Sequence, residues 1–336
     1  MSRRVVYTRG GSPVDVLTVI EEPEPGAPQT GQVLVRATAF PVHPGDLQAV
    51  EAYPGDSGQP VPAGVEATGV VEAIGPGTPV APGVEPGARV TVFPHPGAWS
   101  QWIMAAARAV VAVPAGVPDE VAAQMLVNPI TAVMLRREAE AHASIGYDGV
   151  LLQTAAGSSV GRLLTAVSLA HDISLVNVVR SERGAAELRR RFPDVPVVAT
   201  EHAGWADDVR GAVGDRPLSV ALDPIGGKLA ESLVDLLTPG GTLVCYGQMA
   251  AEPISLPAST LLHKSLTLRG RSIGYWMSDT PLDRQVSDVA AAKMIATAAK
   301  DQFDVAATYG LGDLAQAVEH AQRPGKVGTV LIRPWY

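Results

Sequence analysis

The stretch Gly149–Arg162, GVLLQTAAGSSVGR, decides the fold. Val150, Leu151 and Leu152 form a short apolar run, the pattern of a strand buried on both faces of a parallel sheet. Small residues follow at once, Thr154, Ala155, Ala156, Gly157, Ser158 and Ser159, and then Val160 and Gly161. From Arg162 the apolar spacing turns helical through Leu163, Leu164, Val167 and Ala170. A strand, a tight turn of small residues and a helix N-terminus make a cradle for an anion, because free N–H groups and the helix dipole point at it. Gly157, Ser158, Ser159, Val160 and Gly161 are therefore candidate phosphate contacts, where small side chains let a pyrophosphate approach the backbone.

The usual G-x-G-x-x-G positions hold Ala156, Ser158 and Gly161, so the turn alone is a weak signal and a pure packing role stays open. The next segment strengthens it. Leu175–Val179 reads as a second strand, and it ends in Arg180, about twenty residues past the last glycine. An acid there would hold the ribose hydroxyl of NAD, whereas an arginine suits the extra phosphate of NADP. Arg180 and Ser181 are the expected contacts and NADPH is favoured over NADH, with Arg183, Arg189, Arg190 and Arg191 near enough to take the role.

A chain of 336 residues exceeds one ordinary core, so two domains are expected. It is 46% hydrophobic and 18% charged, which suits a folded globule rather than a disordered chain. A formal charge of −8 argues against nucleic acid or anionic membranes as partners, so a basic site must be local. Cys245 is the only cysteine, which excludes a disulfide within the chain and a multi-cysteine zinc lobe. The opening MSRRVVYTRG passes straight into strand-like alternation, and no apolar run reaches transmembrane length uninterrupted. A cytoplasmic protein is the expectation.

Upstream of the turn, residues 1 to about 110 read as all-β. Strands are expected at Arg4–Thr8, Val14–Ile20, Gln32–Phe40, Ala67–Ile74, Arg89–Val92 and Ser100–Ala105, separated by turns at Pro23–Gly31, Pro54–Gly64 and Gly75–Gly87. Short strands with many Pro and Gly suggest a partly closed barrel. Pro118–Arg137 carries a helical pattern with Asp119 and Glu120 in its first turn. Strand and helix alternate downstream of Gly149, with further strands expected at Val195–Ala199, Leu218–Leu222, Gly241–Tyr246 and Leu266–Arg271. A helix from Leu282 to Ala299 then precedes strands near Ala306–Tyr309 and Thr329–Ile332.

Several segments in shared order resemble the medium-chain dehydrogenase/reductase superfamily, and within it the zinc-free trans-2-enoyl thioester reductases. They are HPGDLQAVEAYP (His43–Pro54), GVEATGVVEAIG (Gly64–Gly75), GAW (Gly97–Trp99), NPITA (Asn128–Ala132), AAGSSVG (Ala155–Gly161) and NVVRSE (Asn177–Glu182), followed by DPIGG (Asp223–Gly227), YGQM (Tyr246–Met249), LRG (Leu268–Gly270) and GKVGTVLI (Gly325–Ile332). The resemblance implies an α/β protein: a GroES-like β-barrel domain plus a doubly wound parallel-sheet (Rossmann) cofactor domain. The expected boundaries are residues 1–125 for the barrel, 126–275 for the NADP-binding domain, and 276–336 for the return to the barrel.

The resemblance also implies roles. Zinc-ligand positions fall on His43, Val65 and Val127, and one possible ligand makes no catalytic zinc site, so no metal is expected. His43 beside Asp46 then reads as a hydrogen-bonded pair. Tyr53 stands where these enzymes carry their active-site tyrosine, as a proton source; a loop tyrosine packed under a Pro-rich turn is the alternative. Asn128 and Thr131 match residues near the nicotinamide half of the cofactor, with a plain Asn-Pro turn the alternative for Asn128. Tyr246, Gly247, Gln248 and Met249 match a loop flanking the nicotinamide, and Lys326 a terminal lysine reaching the cofactor, with a solvated lysine the alternative. Arg271, Ser272 and Ile273 stand where bulky aromatic residues are usual; they are grouped with the cofactor contacts, and the polar Arg271 hints at a shorter or more polar substrate. Trp99, Tyr275 and Trp276 are the expected substrate-pocket residues, with a core tryptophan the ordinary alternative for Trp99. The implied activity is NADPH-dependent reduction of the C=C bond of a 2-enoyl thioester or similar enone. An NADPH:quinone oxidoreductase and a non-catalytic NADPH-binding protein are the alternatives. A homodimer paired along the strand near Leu266–Ile273 is expected.

Overall fold

The computed structural model describes residues 1–142 and 149–336. The chain divides into two units, Met1–Val127 with Ala292–Tyr336, and Asn128–Ala291.

In the first unit, alternating apolar residues build the strands β1 (Ser2–Arg9), β2 (Thr18–Glu22), β3 (Gln32–Val42), β4 (Asp56–Pro62), β5 (Ala67–Ile74), β6 (Arg89–Val92), β7 (Trp102–Ala106) and β8 (Val110–Ala112). The long strand β3 is the spine. It pairs antiparallel with β5 along most of its length and with β7 through Gln32–Arg36. The end of the chain returns as β15 (Val305–Gly310) and β16 (Thr329–Arg333), and β16 lies antiparallel to the last turn of β3, Ile332 opposite Phe40. The resulting sheet runs β15-β16-β3-β5-β6-β8 with β7 on β3, beside a smaller β2-β1-β4 sheet. Its core gathers Val5, Val33, Val35, Phe40, Val90 and Ile332, all with no exposed surface.

Two local readings of this region fail, both through proline. The strand expected over Val14–Ile20 begins only at Thr18, because Pro13 opens a helical turn, α1 (Pro13–Val16). The turn expected across Pro54–Gly64 contains β4, which tolerates Pro60 and Pro62 because it is an edge strand paired only with β1. A helix that periodicity did not reveal, α2 (Pro44–Glu51), follows His43, and the pattern over Pro118–Arg137 resolves into two helices, α3 (Asp119–Ala122) and α4 (Val127–His142).

The second unit alternates strand and helix. Its strands are β9 (Val150–Gln153), β10 (Leu175–Val179), β11 (Val197–Ala199), β12 (Leu218–Asp223), β13 (Thr242–Cys245) and β14 (Thr267–Gly270). Between them run α5 (Ser159–Leu169), α6 (Glu182–Arg191), α7 (Trp205–Val213), α8 (Gly227–Leu236) and α9 (Ala258–Lys264). All six strands are parallel in the order β11-β10-β9-β12-β13-β14. The order reverses between β9 and β12, and open sheets of this kind bind ligands beyond the strand ends at that point. β9, β10 and β12 are buried along their whole lengths, as continuous apolar runs require.

Residues 276–291 belong to this second unit, past the boundary expected at 275. The reason lies in α10 (Ile273–Asp279) and α11 (Leu282–Ala298): Trp276 Nε1 donates to Asp288 at 2.7 Å, and Asp288 pairs with Arg137 of α4. Among the described residues no helix is long and apolar enough to cross a membrane.

Candidate active site

The turn after β9 is held from both sides. Ala155 takes a left-handed backbone with φ of 49°, swinging the chain off the strand into α5. Ser158 caps that helix, its Oγ accepting the Gly161 N–H at 3.1 Å. A Cβ on Gly161 would stand 2.7 Å from backbone atoms of Ala155 and Ala156, so only glycine lets helix and turn close together. Gly157 is different: its nearest neighbour, Val179, is 4.0 Å from where a Cβ would go, which leaves the turn open on that side.

Below the turn, the two N–H groups of the fully buried Gln153 amide are shared among Gly161 O at 3.0 Å, Thr165 Oγ1 at 2.7 Å and Asn177 Oδ1 at 2.6 Å. Arg162, 1% exposed, donates to Gly157 O at 2.6 Å and brings a buried positive charge beneath the cradle. Asp223, at the end of β12, accepts from the Thr154 hydroxyl and from Gly226 N at 2.7 Å. Burial pushes this carboxyl above its usual range, against the pull of those donors.

Of the arginines near the second strand, Arg189 pairs with Glu182, and Arg190 and Arg191 pair with Glu187. Arg180 and Arg183 are exposed and make no ion pair with any described residue, and Ser181 caps α6 through Gly184 N at 3.3 Å. After β13, Tyr246 N donates to Asp223 O at 3.0 Å and Met249 N to Ile225 O at 3.0 Å, so the Tyr246–Met249 loop is anchored to the loop after β12. The Tyr246 hydroxyl is buried with no hydrogen-bond partner, and burial, then the charge of Asp223, drives its pKa up. Gly247 approaches Pro224, while Gln248 and Met249 are exposed. Asn128 and Thr131, near the start of α4, are 6% and 9% exposed.

In the first unit, Tyr53 follows α2 and sets its ring edge-on to Tyr7, centroids 5.2 Å apart. A Cβ on Gly10 would fall 2.2 Å from the Tyr53 carbonyl, so the end of β1 clasps this loop. Burial, then the neighbouring Tyr53, raises the pKa of Tyr7.

His43 joins Glu66 through its ring, Nε2 to Oε2 at 2.7 Å, while Asp46 accepts the His43 backbone N–H at 3.3 Å and a backbone N–H from Val65. The other Glu66 oxygen accepts the N–H groups of Leu126 at 2.7 Å and Val127 at 3.3 Å, the head of α4. Burial alone would lower the His43 pKa, but Glu66 and then Asp46 outweigh it and leave it raised, against the opposing charge of Lys326. Burial pushes Asp46 up to about 6. The Lys326 ammonium donates to Gly328 O at 2.9 Å.

Of the aromatic residues expected at the pocket, two are buried and one is exposed. Trp99 has no exposed surface: it stacks on Phe40 at 5.7 Å, donates to Pro41 O at 3.1 Å, and fills the space left by Gly64, where a Cβ would meet its ring at 2.0 Å. It is a core residue. Trp276, 2% exposed, is likewise spent on Asp288. Arg271 offers no free charge to a substrate, since it bonds Glu138 at 2.5 Å and lies over the ring of Tyr275. Ser272 caps α10 through Tyr275 N at 3.0 Å, Ile273 opens that helix, and Tyr275 is 53% exposed.

Residues 29–123 match the family described as "Alcohol dehydrogenase GroES-like domain", and residues 159–292 that described as "Zinc-binding dehydrogenase". The mitochondrial enoyl-[acyl-carrier-protein] reductase of Bos taurus is 30% identical over 287 residues, 84% of this chain and 75% of that protein. The chain belongs to the medium-chain dehydrogenase/reductase superfamily. This superfamily also supplies its structural neighbours. A candidate NADPH:quinone reductase of Bacillus thuringiensis, 26% identical, superposes over 99% of both chains with a TM-score of 0.84. The quinone oxidoreductase of Escherichia coli, solved with NADPH, shares the fold at 22% identity, 99% and 100% coverage and a TM-score of 0.83.

The second family description implies zinc. Among the described residues no three His, Cys, Asp or Glu form a group able to hold a metal ion, His43 Nε2 is committed to Glu66, and both Glu66 oxygens are taken. The donor set does not fit a metal.

Proposed function

We propose that this member of the superfamily is an NADPH-dependent, metal-independent oxidoreductase that reduces the activated C=C bond of a 2-enoyl thioester or a similar α,β-unsaturated carbonyl. The observation that carries this reading is the Thr154–Gly161 turn, backed by the buried Arg162, with Arg180 at the end of the next strand and Arg183 just beyond it both exposed and outside any ion pair among the described residues. The enoyl reductase relative favours the enoyl substrate.

NADPH, when bound, supplies a hydride for the β-carbon of the alkene. The turn and the head of α5 hold its pyrophosphate through backbone N–H groups, Arg180 and Ser181 meet the 2′-phosphate, and the orphaned Tyr246 hydroxyl offers a donor to a polar group near the nicotinamide. Gly247, Gln248, Met249, Asn128, Thr131 and Lys326 complete the cofactor contacts in this reading. Tyr53 donates its phenolic proton toward the enolate as charge collects on the carbonyl oxygen, completing the addition of hydride and proton across the double bond.

Crotonyl-CoA and a benzoquinone, each with NADPH, test the substrate class. Oxidation of NADPH by crotonyl-CoA is expected; oxidation by the quinone alone favours the second reading, a quinone reductase, which the Bacillus thuringiensis neighbour supports. Tyr53→Phe is expected to lower kcat with crotonyl-CoA about 10²-fold while NADPH affinity holds, and an unchanged rate removes Tyr53 from catalysis. Arg180→Ala is expected to raise KM for NADPH at least tenfold and to leave NADH nearly unchanged, because only NADPH carries the extra phosphate.

The proposed protein is a cytoplasmic homodimer. Every residue of the edge strand β14 is exposed, and Leu262, Leu268 and Tyr275 around it are 78%, 42% and 53% exposed, an apolar edge that a second copy would cover. Sedimentation at micromolar concentration should give twice the chain mass.

A further inference from the structure

Glu201 lies two positions past the end of β11. Its Oε1 accepts the N–H of Glu182, the first residue of α6, at 2.8 Å. The carboxylate of Glu182 itself pairs with Arg189, and the Ser181 oxygen accepts the Gly184 N–H while its own O–H stays free to donate. A carboxylate therefore already sits on the positive end of α6, while Arg180, the residue before the cap, is exposed and without an ion pair among the described residues.

We propose that Glu201 is a specificity-determining residue of the nucleotide site, one that restrains the preference for NADPH over NADH. The inference rests on the NADPH reading above. A 2′-phosphate held by Arg180 needs the same donor at the head of α6 that Glu201 occupies, and the two anions repel. Glu201 must give up the Glu182 N–H or tolerate the phosphate's charge beside it. Either course weakens NADPH and leaves NADH untouched, since NADH ends there in a neutral hydroxyl. Glu201 is exposed, so the effect is screened by salt.

Glu201→Gln is the informative variant: its amide oxygen can still accept the Glu182 N–H, while the charge is gone. Nucleotide fluorescence titrations should show it binding NADPH about five- to tenfold tighter than the wild type at low ionic strength, with NADH unchanged and the gain shrinking at high salt. Calorimetry with 2′,5′-ADP and 5′-AMP should repeat the split without the nicotinamide, tightening only for the bisphosphate. Glu201→Ala should move NADPH in the same direction even though it loses the helix contact. NADPH binding to Glu201→Gln that is equal to or weaker than wild type overturns the inference while the nucleotide reading stands. A wild type that binds neither NADPH nor 2′,5′-ADP overturns that reading, and this inference falls with it.

Discussion

Glu66 in the first unit and Asp223 in the second are both carboxylates with no exposed surface, and both gather backbone N–H groups from a loop. Their surroundings differ in kind. Glu66 faces an imidazole, His43, at 2.7 Å; Asp223 meets only neutral donors, the Thr154 hydroxyl and the N–H groups of the loop after β12. The first is a strut with its counter-charge built in. The second is a charge steadied by dipoles, beside the turn that follows β9. A countercharge makes a buried acid expensive to remove but indifferent to ligands, whereas dipoles make it cheap to remove and sensitive to what binds nearby.

The largest effect expected from this contrast is on Glu66. Glu66→Gln strands His43 in a buried site and should destabilise the first unit by about 3–5 kcal/mol, read from denaturant unfolding of that unit. A loss under about 1 kcal/mol would mean that the pair is not a strut. Asp223→Asn keeps an acceptor for the N–H groups, so about 1–2 kcal/mol is expected. NADPH affinity should change in that variant and not in Glu66→Gln; equal nucleotide binding by both would erase the distinction drawn here.

The smallest effect is on pH. His43 holds its proton more tightly folded than unfolded, so its contribution is fully present below its ordinary value near 6.5 and is lost as pH rises through the higher folded value. Asp46 and Asp223, raised above the usual carboxylate value, also bind protons on folding, but their cost accrues lower, for Asp46 between about 4 and about 6. The Tm of the wild type should therefore fall by a few degrees from pH 6.5 to pH 8.5. Glu66→Gln should flatten that limb and Asp223→Asn should leave it intact, as calorimetric scans across the range would reveal.

Local signals carried the fold well where local physics decides it. The small residues after Leu152, the apolar strands β9 to β13 and the helical spacing from Arg162 all act within a few residues of themselves. Prolines misled because their effect depends on strand position: Pro60 and Pro62 are harmless on an edge that only the assembled sheet defines. Trp99 and Trp276 make a related point, since an aromatic identity does not say whether the ring faces a pocket or a core, and both rings are buried. The candidate turn and Arg180 stand out in the sequence because their chemistry is local. The supports of the candidate site do not, because their partners are remote in sequence: Glu66 reaches Leu126, 60 residues away, and Thr154 reaches Asp223, 69 away. One clue to Glu66 was present, an acid set immediately before the apolar strand β5, where burial leaves it no water.

The indole of Trp99 rests where Gly64 has no side chain, at a backbone φ of 79°. Even alanine at that position would evict the ring from Phe40 and unseat the hydrogen bond to Pro41. For anyone diversifying this barrel toward new substrates, position 64 is barren ground: its variants would be lost to misfolding before a screen could judge their chemistry. Gly26 and Gly45, with open space around them, are where variation can be sown.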